Sequence, residues 1–201
     1  MLKTLLAGIL LLCSFTPAKD GPWFSGLIVY HNEFRDAAGE VVESRAGAQD
    51  LFYIQGSNYK LCNGKKETRE LYVGKTRTLQ MLQNGRVVTA PDTARHQIQL
   101  VATHLPTTAV ILGRPCQAVQ LMHGGTTSII YYSLEVRVKS QGFRTSPFGY
   151  WYALLRATNG ALPLRTISVY SKKGYTATSE ATAIKPMALS ATDFTIAAPA
   201  R

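Results

Sequence analysis

Turn chemistry constrains this chain more than any other feature. Asn-Gly stands at Asn63-Gly64, Asn84-Gly85 and Asn159-Gly160, and Gly56-Ser57-Asn58, Gly124-Gly125 and Lys172-Lys173-Gly174 add further short breaks. Asn and Gly accept the positive φ angles that a two-residue hairpin demands, and the twist of such turns matches that of the strands they join. Between the breaks lie β-branched and aromatic runs: "SGLIVYHNEF" (25–34), "GEVVESR" after a Gly39 turn, "QDLFYIQGSNYKLCNGKKETRELYV" (49–73), "TLQMLQNGRVVTA" (78–90), "RHQIQLVAT" (95–103), "TAVILG", "CQAVQLMH" and "TTSIIYYS". In "RHQIQLVAT", Ile98, Leu100 and Ala102 alternate with Gln97, Gln99 and Val101, which sends one face inward and the other outward. Connections this short leave neighbouring strands only antiparallel pairing.

One segment reads differently. "TSPFGYWYALLRATNG" offers Thr145 or Ser146 as N-cap, Pro147 at the first helical position, Tyr150, Leu154 and Leu155 at helical spacing, and Asn159-Gly160 as a stop. A short helix over residues 147–158 is expected. Beyond it, "LPLRTISVYS" and "GYTATSEATAIKP" form a hairpin, and "DFTIAAP" reads as a terminal strand. The aromatic cluster Phe143, Phe148, Tyr150, Trp151 and Tyr152 serves equally to line a cavity or to pack the helix on the sheet.

The opening "MLKTLLAGILLLCSFTPAKD" has a single cation, Lys3, an apolar run too short to span a membrane, and a small-residue pattern ending at Ala18. Residues 1–18 are read as a cleaved signal peptide, residues 19–201 as a single domain, and the compartment as periplasm or secreted. Cys13 follows Leu12, which gives no convincing lipobox. The formal charge of +10 falls to +9 once Lys3 leaves. For an exported chain, that excess serves plain solubility first; as a binding feature it points away from nucleic acid and toward anionic lipid head groups of a membrane surface, lipopolysaccharide or acidic glycans. Oligomeric state is not legible.

Two cysteines then remain. An even pair in an oxidising compartment makes Cys62–Cys116 a candidate disulfide; the alternative is two buried thiols acting as small hydrophobes. A metal site is not expected, because there is no CxxC, and His31, His96, His104 and His123 fall at no zinc-site spacing. No nucleophile elbow, regularly spaced carboxylate pair or HExxH helix is present, so neither catalytic residues nor a cofactor are expected, with an envelope hydrolase the lesser alternative.

The order "ILGRPC", "IIYYS", helix, "GALPLRTISV", "EATAI" and "LSATDFTI" resembles a group of secreted bacterial proteins of unknown function, common in Bacteroidetes and GLPGLI-like. Ile111, Gly113, Cys116, Leu162, Pro163, Asp193, Phe194 and Ile196 carry the resemblance, although the second glycine of the GLPGLI signature is missing. Those proteins are distantly similar to the lipoprotein-carrier (LolA/LolB-like) superfamily. The resemblance implies a mainly β fold, a curved antiparallel half-barrel with one short helix over its open face. It also implies a non-enzymatic envelope protein that holds a lipid or lipoprotein acyl chain in its concavity. Inward residues are expected from Leu27, Val29, Phe52, Ile54, Leu100, Ile111, Val119, Leu121, Ile130, Tyr132 and Ile167. Of these, Phe52, Ile54, Leu100, Val119, Leu121, Ile130 and Tyr132, with Tyr150 and Trp151, are the expected ligand contacts. Docking on an anionic surface is the alternative role.

Overall fold

In the computed structural model, residues 22–43, 47–83, 85–90, 100–144, 146 and 149–196 are described. The expected signal peptide, Thr145 and Pro147 lie outside them, as does most of the stretch 95–100. Eleven strands follow in chain order: β1 (Gly26–Asp36), β2 (Gln49–Gln55), β3 (Asn58–Asn63), β4 (Thr68–Val73), β5 (Thr78–Gln83), β6 (Arg86–Ala90), β7 (Val101–Ile111), β8 (Arg114–His123), β9 (Thr126–Arg137), β10 (Ala161–Tyr170) and β11 (Tyr175–Pro186). Helix α1 (Gly149–Ala157) stands between β9 and β10. All strands join one antiparallel sheet in the order β6-β5-β4-β3-β2-β1-β11-β10-β9-β8-β7. The fold is the expected half-barrel.

Two meanders meet at the middle of this sheet. β1 pairs with β11 from Gly26 opposite Pro186 to Asp36 opposite Tyr175, with a bulge at Val29/Tyr30 where Thr182 is extra. Curvature follows from the covalent chain. Ten residues, and so eleven Cα–Cα steps, lie between Ala90, the end of β6, and Val101, the start of β7, and such a stretch reaches about 36–40 Å at most. Ten strand spacings on a flat sheet would put those edges about 48 Å apart, so the sheet must bend. Bulges help it to do so: β10 is irregular on both sides of Pro163, and extra residues raise local twist. The two edges are blunted as edge strands usually are. β6 is five residues long, and β7 carries Pro106 inside its register shift between Leu105 and Thr108.

Alternation separates the faces. Ile28, Phe52, Ile54, Tyr59, Tyr72, Leu164 and Ala181 pack into the large concave cluster, whereas Leu27, Val29, Leu51 and Cys62 form a separate cluster on the convex face. Leu27 and Val29 were expected inward; Ile28 takes that role because register, not hydrophobicity alone, assigns the face. Ile167 is likewise turned away from the groove that its neighbours Thr166 and Ser168 line.

Helix α1 closes the concavity. Leu154 packs with Val119, Leu121, Ile130, Tyr132 and Ala161, Leu155 packs with the Ile28 cluster, and Trp151 touches both. Its end is built by Asn159 (φ 53) and Gly160 (φ 82). Gly160 N–H donates to Leu155 O at 2.6 Å, the long bond of a Schellman cap. Thr158, buried, donates through Oγ1 to Ala161 O at 2.7 Å and Leu154 O at 3.1 Å, tying the cap to β10.

Three expectations are corrected here. "GEVVESR" supplies only an isolated bridge, Val41 opposite Arg35, in its described part. The expected terminal strand does not form over residues 193–196; instead Ala191–Asp193 is a single 3-10 turn in which Ser190 N–H donates to Asp193 Oδ2. The third is the disulfide. Cys62 and Cys116 are free, buried thiols in different clusters. β2, β1, β11, β10 and β9 lie between their strands, about 29 Å measured along the sheet, against a Cα separation of about 4.4–6.8 Å for a bond.

Gly160 is irreplaceable for two reasons: its φ is left-handed, and a Cβ there would stand 2.3 Å from Val138 O. Gly160→Ala should lower the melting temperature by about 5–10 °C. At Gly124, φ is +56 with nothing within 4 Å, so Gly124→Ala should cost only about 2–4 °C; equal losses would remove the close-approach argument. Alkylation of non-reduced, denatured protein should label both Cys62 and Cys116. A Cys62–Cys116 cross-linked peptide in that digest would contradict the strand order.

Candidate functional site

The concave face is not uniformly apolar. Read along the inward positions, β1 brings Asn32 and Phe34, β2 Asp50 and Phe52, β4 Glu70, β9 Ser128, β10 Thr166 and Ser168, and β11 Ser179. Around them runs a groove of ≈ 660 Å³ that continues into a second hollow of ≈ 260 Å³. Asp50, Leu61, Glu70, Tyr150, Thr166 and Ser179 line both parts.

One wall is apolar. Phe52, Tyr59, Trp151 and Leu154 bound the inner hollow, and Leu100, Leu121 and Tyr150 continue the wall outward. Behind it stands an aromatic tier of Phe52, Tyr59, Tyr72, Phe143 and Trp151, with neighbouring ring centroids 5.6 to 6.3 Å apart. Such rings hold one another in fixed orientations, so the wall is preformed.

The opposite side is polar and charged. Asp50 Oδ1 accepts from Arg69 Nη1 at 2.8 Å, and Glu70 Oε1 accepts from the Tyr59 hydroxyl. Burial pushes the Glu70 carboxyl above the usual carboxylate range; the Tyr59 hydrogen bond and Arg69 pull it back, and Asp50 adds a like-charge push. Burial, followed by the Glu70 charge, raises the Tyr59 phenol strongly. Tyr150 is pushed up to about 12, chiefly by burial. The Ser128 and Ser168 hydroxyls sit 2.7 Å apart across the β9–β10 pair. Tyr30 donates to Pro163 O at 2.7 Å, so the carbonyl beside the β10 bulges is satisfied.

Of the expected contacts, Phe52, Leu100, Leu121, Tyr150 and Trp151 line the groove. Ile54, Val119, Ile130 and Tyr132 do not; they are 0 to 1% exposed, packed as core beneath it. Ile111 likewise fills core beside Cys116. Sequence reasoning missed Asp50, Glu70 and the serine floor. A signal existed: in "TRELYV", Glu70 shares its inward parity with Tyr72, and Ser128 shares that of Ile130. Apolar residues alone were sought at inward positions, so polar ones there went unread. Among the described residues, no group of three or more His, Cys, Asp or Glu is placed to hold a metal ion, and no helix is long and apolar enough to cross a membrane.

No family model matches the sequence, and no curated protein does. Solved structures give a likeness of fold. PNGF-II, in its P21 crystal form, is similar over 86% of this chain with a TM-score of 0.51 and 19% identity, and this chain covers 30% of that protein's length. MucB aligns with 87% of this chain and 58% of its own at a TM-score of 0.35 and 11% identity. A lipoprotein-sorting protein domain from Vibrio parahaemolyticus aligns with 87% of this chain and 91% of its own at 0.29 and 8%. By its own strand order and helix, the chain is an open antiparallel half-barrel with a helix-covered groove, and the Bacteroidetes-type resemblance finds no counterpart among family models.

Because the folded-state pKa of Glu70 lies above that of the unfolded chain, protonation of this residue favours folding. That contribution is complete below the ordinary carboxylate pKa and is lost as pH rises through the folded value. Glu70→Gln, which keeps an acceptor for Tyr59, should therefore melt with the wild type near about pH 3.5 and above it near about pH 8. A variant that melts lower at both would mean that the charge itself holds the hollow together.

Proposed function

We propose that this chain is a non-enzymatic binding protein of the cell envelope that holds an amphiphile in the groove beneath α1. The observation that carries this reading is the division of one groove into two chemistries. Phe52, Tyr59, Trp151, Leu154 and Leu121 offer an acyl chain a preformed apolar wall, while Asp50, Glu70, Ser128, Thr166, Ser168 and Ser179 offer hydrogen bonds to a head group. A groove of ≈ 660 Å³ with a ≈ 260 Å³ extension falls in the range of small-ligand sites. The floor also selects. Asp50 is paired with Arg69, whereas among the described residues Glu70 accepts from the Tyr59 hydroxyl without a cationic partner in an ion pair, so a hydroxylated, uncharged head group fits better than a free carboxylate.

The two tryptophans of the chain are Trp23 and Trp151. In a Trp23→Phe background, Trp151 fluorescence should change saturably on addition of a monoacylglycerol, and more weakly with the corresponding fatty acid. Ser179→Phe, which fills the junction of the two hollows, should abolish the response while leaving the circular dichroism spectrum unchanged. An absent response to either lipid, together with native mass spectra free of bound lipid, would overturn the proposal.

A further inference from the structure

At one end of the half-barrel, outside the groove and independent of the reading above, three turns form a cleft of ≈ 770 Å³. The turns are those of β2–β3 (Ser57, Asn58), β4–β5 (Gly74, Lys75, Arg77) and the 3-10 segment Ser140–Phe143 with Arg144. Its charged lining is wholly cationic: Lys75, Arg77 and Arg144. All three are exposed, and none forms an ion pair among the described residues.

The cleft is built rather than incidental. A Cβ at Gly74 would stand 2.2 Å from Ser57 Oγ, and one at Gly142 would stand 2.6 Å from Ser57 Cβ, so both turns are pressed against the same serine. Asn58 Oδ1 accepts from Gly74 N–H at 3.0 Å, and Arg77 N–H donates to Gly74 O at 3.3 Å. Arg77 holds a left-handed φ of 55, a conformation that favours glycine. A cation kept at such a position, at the lip of a fixed cleft with no acid paired to it among the described residues, is strain retained where a ligand would use it.

A second feature points to the source of the anion. Gly142 N–H donates to Lys139 O, and Lys139 Nζ and the Arg137 guanidinium lie 5.9 and 5.5 Å from the ring of Trp23, itself 44% exposed. An exposed indole flanked by long cationic side chains suits the boundary between lipid and water. We propose that the Lys75–Arg77–Arg144 cleft binds the phosphate of an anionic phospholipid head group and docks this end of the half-barrel on a membrane surface.

Co-sedimentation of the full chain with phosphatidylglycerol-containing vesicles, against pure phosphatidylcholine vesicles, tests it. Binding should be confined to the anionic vesicles and weaken with salt. Each cation contributes about fivefold, so K75S/R77S/R144S should bind about a hundredfold more weakly. A control of equal charge, K65S/K66S/K172S, should bind as the wild type. Should the triple variant fail to fold, Arg144→Ser alone should still lose about fivefold. Equal losses in the variant and the control would mean bulk charge and overturn the proposal, as would undiminished binding by K75S/R77S/R144S or by a folded Arg144→Ser. Inorganic phosphate bound at the cleft without vesicle binding would overturn the membrane source. The Trp151 response to monoacylglycerol, measured in the same triple variant, should persist, which separates failure here from failure of the groove reading.

Discussion

The pairing of the first strand with the last governs this molecule. Gly26 through Asp36 run against Pro186 back to Tyr175, and that seam joins two meanders that would otherwise be separate sheets with open inner edges. Its start has no steric slack: Gly26 adopts φ 154, and a Cβ there would lie 2.2 Å from Lys185 O. The seam also sets the parity of everything around it. Ile28 and Tyr30 lie on the concave side by plain alternation, the extra Thr182 of the bulge brings Ala181 of β11 to the same side, and from there the ladder carries the face outward to Phe52 in one direction and to Leu164 in the other. Such long-range pairing closes a large loop before it yields contacts, and is correspondingly slow to form.

Given that seam, the groove follows from covalent reach and from α1. The short link between β6 and β7 forces the sheet to bend, bending gathers inward side chains, and the helix covers one end of the hollow with Trp151, Leu154 and Leu155. The side facing that apolar wall is left to hydroxyls and carboxylates. That division lets a ligand of two chemistries lie along a single surface, and it places Glu70 where burial rather than a strong partner decides its protonation. The aromatic tier behind the hollow ends at Phe143, whose neighbour Gly142 faces the cationic cleft. The two candidate sites therefore stand on either side of that tier.

The strand-rich architecture, the hairpins turned at Gly56-Ser57, Asn63-Gly64, Gly124-Gly125 and Lys172-Lys173-Gly174, and helix α1 were legible from turn residues and alternation; the direct pairing of β1 with β2, the β4–β5 turn and the continuity of β7 from Val101 to Ile111 were not. Such signals are local: Asn63-Gly64 needs only its own φ angles, and the helix stop at Gly160 needs only a left-handed residue. Face assignment was legible in part. Phe52, Leu121 and Trp151 were placed where they lie, but Leu27 and Val29 were set on the wrong side because both faces of β1 are apolar and buried at its start, and only the register against β2 and β11 assigns them. Glu70 was overlooked because its partner, Tyr59, sits eleven residues away across a turn.

What the sequence determined by itself is therefore the set of elements: strands bounded by Asn-Gly and Gly-rich turns, one capped helix, and a basic surface. These depend on backbone preference and composition, which each residue carries wherever it sits. Only the tertiary structure decided that β1 and β11 meet, that Cys62 and Cys116 stay free with five strands between them, and that Ile54, Val119, Ile130 and Tyr132 are dry core beneath a groove floored by Asp50, Glu70 and Ser168. Those outcomes are set by register and curvature summed over eleven strands, and a shift of a single residue in one ladder would exchange the two faces.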